Sequence, residues 1–350
     1  MIKLLIVEDS KVVSEYLQYI FSQDKQIEVI GTVTTGKQAI DFVKANKPDV
    51  ITMDVDMPEM YGLEATRQIM STTPVPILVV TASRNAREVN TSIEALAAGA
   101  LAVVEKPVGI NHPKAEELSR KLVNLVKIMS EVSVVTRKRR VSVVSQPTVK
   151  AKTPPDQINI GKPSIVAIGV SSGGPQTLQV VLSKISHNFP APILVVQHIA
   201  PGFISGLVSW LQKIVNIPVS VAQPDETIVP GHIYFAPDNL QMGVTPSGKI
   251  LLEKPDKEGG FCPSIAHLYK RVTDSFGSKA LGIILTGMGS DGAEELKQMH
   301  DKGAITIAQS KESSLIFGIP GVAIQIGAAT HVLSDEEICM LLYEIEKNNM

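Results

Sequence analysis

Ile165-Val166-Ala167-Ile168-Gly169-Val170-Ser171-Ser172-Gly173-Gly174-Pro175 decides how the second half of this chain folds. Ile165 to Ile168 is an apolar run without polar alternation, as expected for a strand whose sheet is covered by helices on both faces. A glycine-rich turn follows at once, and Pro175 suits the first position of a helix. A serine at such a strand-to-helix turn is lifted above the sheet edge, beside the N–H groups of a helix N-terminus. Gly169-Val170-Ser171-Ser172-Gly173 also spells the G-x-S-x-G pattern of an exposed nucleophile. A flexible turn or a phosphate cradle would use the same glycines, so the stretch alone leaves both open.

The alternation continues outward in both directions. Downstream, Ile193–Gln197, Val219–Ala222, His232–Phe235, Ile283–Leu285 and Ile305–Ala308 read as strands. Helical patterns separate them at Gln176–Ser183, Ser205–Ile214, Ala266–Ser275, Gly292–Lys302 and Glu336–Lys347. Upstream, Lys3–Val7, Glu28–Thr32, Val50–Asp54, Ile77–Thr81 and Leu101–Val104 alternate with helix-like Lys11–Phe21, Gly36–Asn46 and Leu63–Met70. The expected fold is α/β throughout: two doubly wound parallel-sheet domains, residues 1–128 and 163–350. The segment 129–162 has no periodicity and carries Arg137-Lys138-Arg139-Arg140, Pro147, Pro154 and Pro155. It reads as an extended linker. Its basic run is either a solvated charge cluster or a contact for an acidic partner or nucleic acid.

Composition narrows the function classes. At 350 residues, two domains can each bury a core. A net charge of -2 supplies no field toward nucleic acid or an anionic membrane. Cys262 and Cys339 cannot build a disulfide framework, which fits a reducing cytoplasm. The N-terminal apolar run breaks at Glu8-Asp9, too soon for a signal-peptide core. Nor does any stretch approach the ~18 apolar residues of a membrane helix. The expectation is a soluble, cytoplasmic protein with no direct membrane insertion and no nucleic-acid partner.

In the first domain, Glu8 with Asp9, Asp54, Thr81 and Lys106 each stand where an apolar strand ends. Strand C-termini of an open parallel sheet share one edge, where sites form. Grouped carboxylates repel unless a hard cation sits among them, and Mg²⁺ takes carboxylates, waters and phosphate oxygens. With Mg²⁺ bound, Asp54 could attack a phosphoryl group and carry it, with Thr81 and Lys106 placed to hold its oxygens.

The second domain repeats the logic with other chemistry. Val195-Val196-Gln197-His198 ends a strand, and Thr286-Gly287-Met288-Gly289-Ser290-Asp291-Gly292-Ala293 follows another. Ser171, His198 and Asp291 therefore all fall on strand-end loops: nucleophile, general base and orienting acid. Backbone N–H groups of the glycine-rich loops, that of Met288 among them, could hold an oxyanion. Each residue has a plainer reading. Asp291 precedes a helix and could be its N-cap, and His232 lies in the turn Pro230-Gly231-His232. The order Ser, His, Asp differs from the Ser, Asp, His of α/β-hydrolases.

Two resemblances follow from these motifs. Val7-Glu8-Asp9-Ser10, Met53-Asp54-Val55-Asp56-Met57-Pro58, Val80-Thr81-Ala82-Ser83 and Glu105-Lys106-Pro107 resemble the receiver domain of two-component response regulators. That implies phosphorylation of Asp54 by a histidine kinase, with metal held by Glu8, Asp9, Asp54 and the Asp56 backbone carbonyl. Val103 stands where the family usually has an aromatic residue, Tyr61 where aspartate is common, and Glu8 in place of a more usual aspartate.

The three loops of the second domain resemble the catalytic domain of chemotaxis protein-glutamate methylesterases. So do Val229-Pro230-Gly231-His232-Ile233-Tyr234-Phe235-Ala236-Pro237, Ile307-Ala308-Gln309 and Phe317-Gly318-Ile319-Pro320. The resemblance implies hydrolysis of glutamate γ-methyl esters on the cytoplasmic helices of chemoreceptors, with deamidation of receptor glutamines in many members. It makes Ser171, His198 and Asp291 the triad and requires no cofactor for ester hydrolysis. It also implies that the unphosphorylated receiver restrains the hydrolase, and that the chemotaxis histidine kinase is the phosphodonor. The family's Arg-Pro-Ser-x-Asp stretch reads Cys262-Pro263-Ser264-Ile265-Ala266 here. Two rival readings are a non-catalytic signalling module and a transcriptional regulator, the second of which needs a helix-turn-helix and basic face that the sequence lacks.

Overall fold

Parallel strands alternating with helices build both halves of the chain. The computed structural model describes residues 1–57, 62–81, 86–107, 109, 115–132, 134, 160–255 and 260–349. Pro58, Tyr61, Ala82, Ser83 and the basic run 137–140 lie outside the described residues. The chain divides into two compact units, Met1–Ser142 and Val143–Met350.

The first unit alternates β1 (Ile2–Val7), α1 (Lys11–Ser22), β2 (Ile27–Val33), α2 (Gly36–Asn46), β3 (Val50–Met53), α3 (Gly62–Thr72), β4 (Ile77–Thr81), α4 (Ala86–Ala98), β5 (Ala102–Glu105) and α5 (Ala115–Ser130). Ser10 and Thr35 cap α1 and α2 by accepting N–H bonds from Val13 and Gln38. All neighbouring strands are parallel, in the order β2-β1-β3-β4-β5. Chain order reverses between β1 and β3, which opens a crevice at their C-terminal ends. β3 stops at Met53, one residue short of the expected end, so Asp54 lies just past the strand.

The second unit runs β6 (Ile165–Val170), α6 (Gly174–Val181), β7 (Ile193–Gln197), α7 (Ile204–Gln212), β8 (Val219–Val221), β9 (Ile233–Phe235), β10 (Gln241–Val244) and β11 (Ile250–Glu253). It continues with α8 (Ile265–Phe276), β12 (Ala280–Ile284), α9 (Ala293–Asp301), β13 (Ile305–Gln309), α10 (Ile319–Gln325), β14 (His331–Leu333) and α11 (Asp335–Lys347). Seven parallel strands form one sheet in the order β14-β13-β12-β6-β7-β9-β8. β6, first in the chain, lies between β12 and β7, so the switch point falls at its C-terminal end. β6, β7 and β12 are buried along their whole length, which is why their sequences read as unbroken apolar runs.

Three features depart from the pattern expected of the sequence. β10 and β11 form a separate antiparallel pair, joined through a turn containing Ser247-Gly248. α10 begins Ile319-Pro320-Gly321, a start that breaks helical periodicity, and β14 is only three residues long. Ser334 and Glu337 form a reciprocal cap that starts α11 firmly.

Candidate active site and acidic site

Strand register brings Ser171 and His198 together. Val170 pairs with Gln197 across β6 and β7, so Ser171 and His198 leave the sheet side by side. The His198 N–H donates to the Val170 carbonyl at 2.9 Å. On the other flank, Gly169 pairs with Ile284, and the Ser171 N–H donates to the Thr286 carbonyl at 3.0 Å. Gln197, buried, donates from Nε2 to the carbonyls of Ser171 and His198, both at 2.8 Å, and locks the two loop starts. Ser171 is 9% exposed, and among the described residues no partner holds its hydroxyl.

His198 and Asp291 meet within this edge. Nε2 of His198 lies 3.0 Å from Oδ2 of Asp291, each side chain 10% exposed. The ring N–H is not aimed well enough to make a hydrogen bond, a looseness common before substrate binds. Nδ1 is buried and has no partner among the described residues. One face of the imidazole is covered by Phe261, with ring centroids 4.4 Å apart and planes 4° from parallel.

Asp291 does cap a helix, but not the one it precedes. α9 begins after Gly292 with no side-chain cap. Asp291 instead accepts from the first turn of α8: Ile265 N–H at 2.7 Å, Ala266 N–H at 3.3 Å and the Ser264 hydroxyl at 2.9 Å. Burial disfavours its charge, but His198, the Ile265 N–H and Ser264 outweigh burial and hold the carboxyl below its ordinary value. The positive end of α8 favours that charge as well. Asp291 is thus an ionised carboxylate, fixed from behind and facing the imidazole.

The loop after β12 closes the other side. At Gly287 a side chain is impossible, since its Cβ would lie 2.5 Å from the Cβ of Ser171. Thr286 holds the loop in place, its hydroxyl donating to the Ser172 carbonyl at 3.1 Å and accepting from the Ile316 N–H at 2.9 Å. Met288 follows, and among the described residues its N–H has no acceptor. His232 goes elsewhere: its Nε2 pairs with the Ser220 hydroxyl at 2.8 Å and its ring stacks on Tyr234.

The first unit gathers its own set. Lys106 Nζ lies 2.7 Å from Asp54 Oδ2 and 2.9 Å from Glu8 Oε2. Carboxylate oxygens of Glu8, Asp9 and Asp54 lie within 4.8 Å of one another. The Asp56 N–H donates to Asp54 Oδ1 at 3.3 Å, and the Lys106 N–H donates to the Thr81 carbonyl at 2.8 Å. Thr81 is buried at the end of β4. Burial pushes the carboxyls of Asp54 and Glu8 upward, in spite of the Lys106 ammonium. Three carboxylates against one ammonium leave excess negative charge, and the buried Glu8 Oε2 has no well-directed hydrogen bond. A hard divalent cation fits this donor set.

Comparison with known proteins finds a match for each domain. A model of the CheB methylesterase family matches residues 166–342, and one of the response regulator receiver domain matches residues 4–115. A protein-glutamate methylesterase/protein-glutamine glutaminase of Nitrosospira multiformis is 47% identical over 343 residues, 98% of this chain and 96% of that one. The chain belongs to the CheB methylesterase family. A second relative of the same description, from Syntrophus aciditrophicus, is 48% identical over 346 residues, 99% of this chain and 98% of its own. The catalytic domain of Thermotoga maritima CheB methylesterase aligns with a TM-score of 0.50 and 36% identity, covering 53% of this chain and all of that one. Family membership makes the chain an ester hydrolase that carries a response-regulator module. Among the described residues no helix is long and apolar enough to cross a membrane.

Sequence reasoning reached the strand-end residues of this CheB family member but missed what supports them. Phe261 and Gln241 carry no motif. Gln241, on β10, accepts from the Ser264 N–H at 2.7 Å and donates to the Phe261 carbonyl at 2.8 Å, so the unforeseen hairpin pins the loop that covers His198. The departure Cys262-Pro263-Ser264-Ile265-Ala266 still holds Asp291, because Ser264 supplies a hydroxyl and Ile265 and Ala266 supply backbone N–H groups. Phe261→Leu keeps burial but loses the flat stack on the imidazole. Aromatic stacking is worth ~0.5–1.5 kcal/mol, so kcat is expected to fall about 2- to 12-fold, read from initial rates of ester cleavage.

Proposed function

We propose that this chain hydrolyses glutamate γ-methyl esters on the cytoplasmic helices of chemoreceptors, and deamidates receptor glutamines, under control of phosphorylation at Asp54. The observation that carries this reading is the meeting of Ser171, His198 and Asp291 at one sheet edge. Full-length likeness to relatives described as protein-glutamate methylesterase/protein-glutamine glutaminase supports the substrate class.

In this mechanism Oγ of Ser171 attacks the ester carbonyl while His198 Nδ1 takes its proton. Asp291 stabilises the imidazolium that forms, and the Met288 N–H donates to the oxyanion. The C–O bond then breaks, and His198 returns the proton so that methanol leaves. Water, deprotonated by His198, attacks the acyl-serine; the acyl–Oγ bond breaks, His198 returns the proton to Ser171 Oγ, and the glutamate carboxylate is freed. A glutamine follows the same path with ammonia as leaving group.

In the receiver, an Asp54 oxygen takes the phosphoryl group from a kinase histidine, and Thr81 and Lys106 bind its oxygens. Glu8, Asp9, Asp54 and the Asp56 carbonyl would hold Mg²⁺, which offsets the charge of the phosphoryl oxygens when bound. This reading keeps a receiver over 1–128, a linker over 129–162 and a hydrolase over 163–350, acting in the cytoplasm.

The test is methanol release from methylated chemoreceptor fragments by the full-length protein, with and without acetyl phosphate. Release is expected to rise with the phosphodonor, within the ~5- to 150-fold range of allosteric couplings. Asp54→Asn is expected to lose that rise and keep the basal rate. Equal stimulation of both proteins removes Asp54 from the regulation, and no release from any fragment removes the esterase reading.

A further inference from the structure

Helix α8 touches both strands that carry the reacting groups, and one of its side chains joins them. Gly169 of β6 pairs with Ile284 of β12, two residues before Ser171. At this rung the Tyr269 hydroxyl accepts from the Gly169 N–H at 3.0 Å and donates to the Ile283 carbonyl at 2.5 Å. Tyr269 is wholly buried, and among the described residues its hydroxyl has only these backbone partners to satisfy it. One turn earlier on the same face, the Ile265 N–H holds Asp291 at 2.7 Å.

The backbone is cut to admit this face of the helix. A Cβ at Gly169 would lie 2.2 Å from Ile265 Cγ2 and 2.8 Å from the Tyr269 hydroxyl. A Cβ at Gly292, next to Asp291, would lie 2.3 Å from Ile265 Cγ2. The strand of the serine and the loop of the acid each give up a side chain to the same turn of α8.

We infer that Tyr269 is a positioning residue: with Ile265 it makes α8 a gauge that fixes the spacing between the Ser171 strand and Asp291. The hydroxyl ties β6 and β12 together at the last rung before the nucleophile. The first turn of the helix, set by that anchor, delivers the N–H groups that aim Asp291 at His198. This inference rests on the proposed roles of Ser171, His198 and Asp291.

Tyr269→Phe removes one oxygen and, with it, the hydroxyl's bonds to the Gly169 N–H and the Ile283 carbonyl, leaving only strand pairing between β6 and β12 at this rung. The full-length variant is expected to lose about tenfold in kcat on methylated receptor fragments with KM unchanged. Misplacement of reacting groups by ~1 Å costs up to about 10²-fold, so the effect lies inside that range. The rate at which a fluorophosphonate labels Ser171 is expected to fall by the same factor, with rates normalised to folded protein. Loss of melting temperature with kcat within twofold of wild type overturns the inference, as does a change confined to KM. Should Tyr269→Phe not fold, Ile265→Val decides: it keeps the N–H to Asp291 but loosens the fit at Gly169 and Gly292. A roughly threefold fall in kcat is then expected, and an unchanged kcat overturns the inference. Ser171→Ala separates the two failures, because activity retained there defeats the triad itself, whereas its loss beside a fully active Tyr269→Phe defeats only the gauge.

Discussion

Ser171→Ala is expected to abolish methanol release, with kcat reduced about 10⁴- to 10⁶-fold, as when a hydrolase nucleophile is removed. The argument is one of position. Ser171 is set by β6 on one side and by Thr286 and Gly287 on the other, and its loop is locked by Gln197. Ser172 is the natural substitute, yet its own carbonyl is held by Thr286 and it lies two residues past the paired strand end. Among the described residues no second hydroxyl shares the register with His198. Folding should be unaffected, because no partner among the described residues holds the Ser171 hydroxyl. Loss of activity with an unchanged melting temperature is the expected pair of results, while activity above about 1% of wild type points to another nucleophile.

Asp291→Asn is expected to cost nearly as much, about 10³- to 10⁴-fold in kcat. The carboxylate accepts three bonds from α8 and faces His198 with what remains. An amide has one acceptor oxygen. If that oxygen keeps the Ile265 N–H, its NH₂ turns toward donors, and the imidazolium formed during attack loses its counter-charge. The cap on α8 weakens too, so stability is expected to fall by ~1 kcal/mol. Thermal unfolding and kcat measured on one preparation separate the two effects. The sign with pH follows from the lowered carboxyl of Asp291. Its stabilising charge is fully present above the ordinary carboxylate value and is lost as pH falls through the depressed one. Wild type should therefore lose this contribution only at strongly acid pH, and Asp291→Asn should lack it throughout.

How much of this was legible in the sequence depends on how local the signal is. β6, β7 and β12 are buried on both faces, so parallel strands could be read from apolar runs such as Ile193–Gln197. Ser171, His198, Asp54 and Lys106 then followed, because an open parallel sheet places strand ends on one edge. The partners of Asp291 could not follow. Capping rules tie an aspartate to the helix that comes next, whereas Asp291 caps one that begins 26 residues earlier. Phe261 stacks on His198 only through the Gln241 anchor, and Gln241 belongs to a four-residue strand interrupted by Gly243. Tyr269 reads in sequence as an ordinary apolar position of an amphipathic helix, and its two backbone partners lie 100 residues upstream and 14 downstream.

The most direct test of the central claim is to treat the full-length protein with a fluorophosphonate and map the adduct by peptide mass spectrometry. The account predicts a single adduct on Ser171, formed far more slowly in His198→Ala and in Asp291→Asn. An adduct on Ser172 or elsewhere, or labelling of Ser171 that ignores both substitutions, would contradict it.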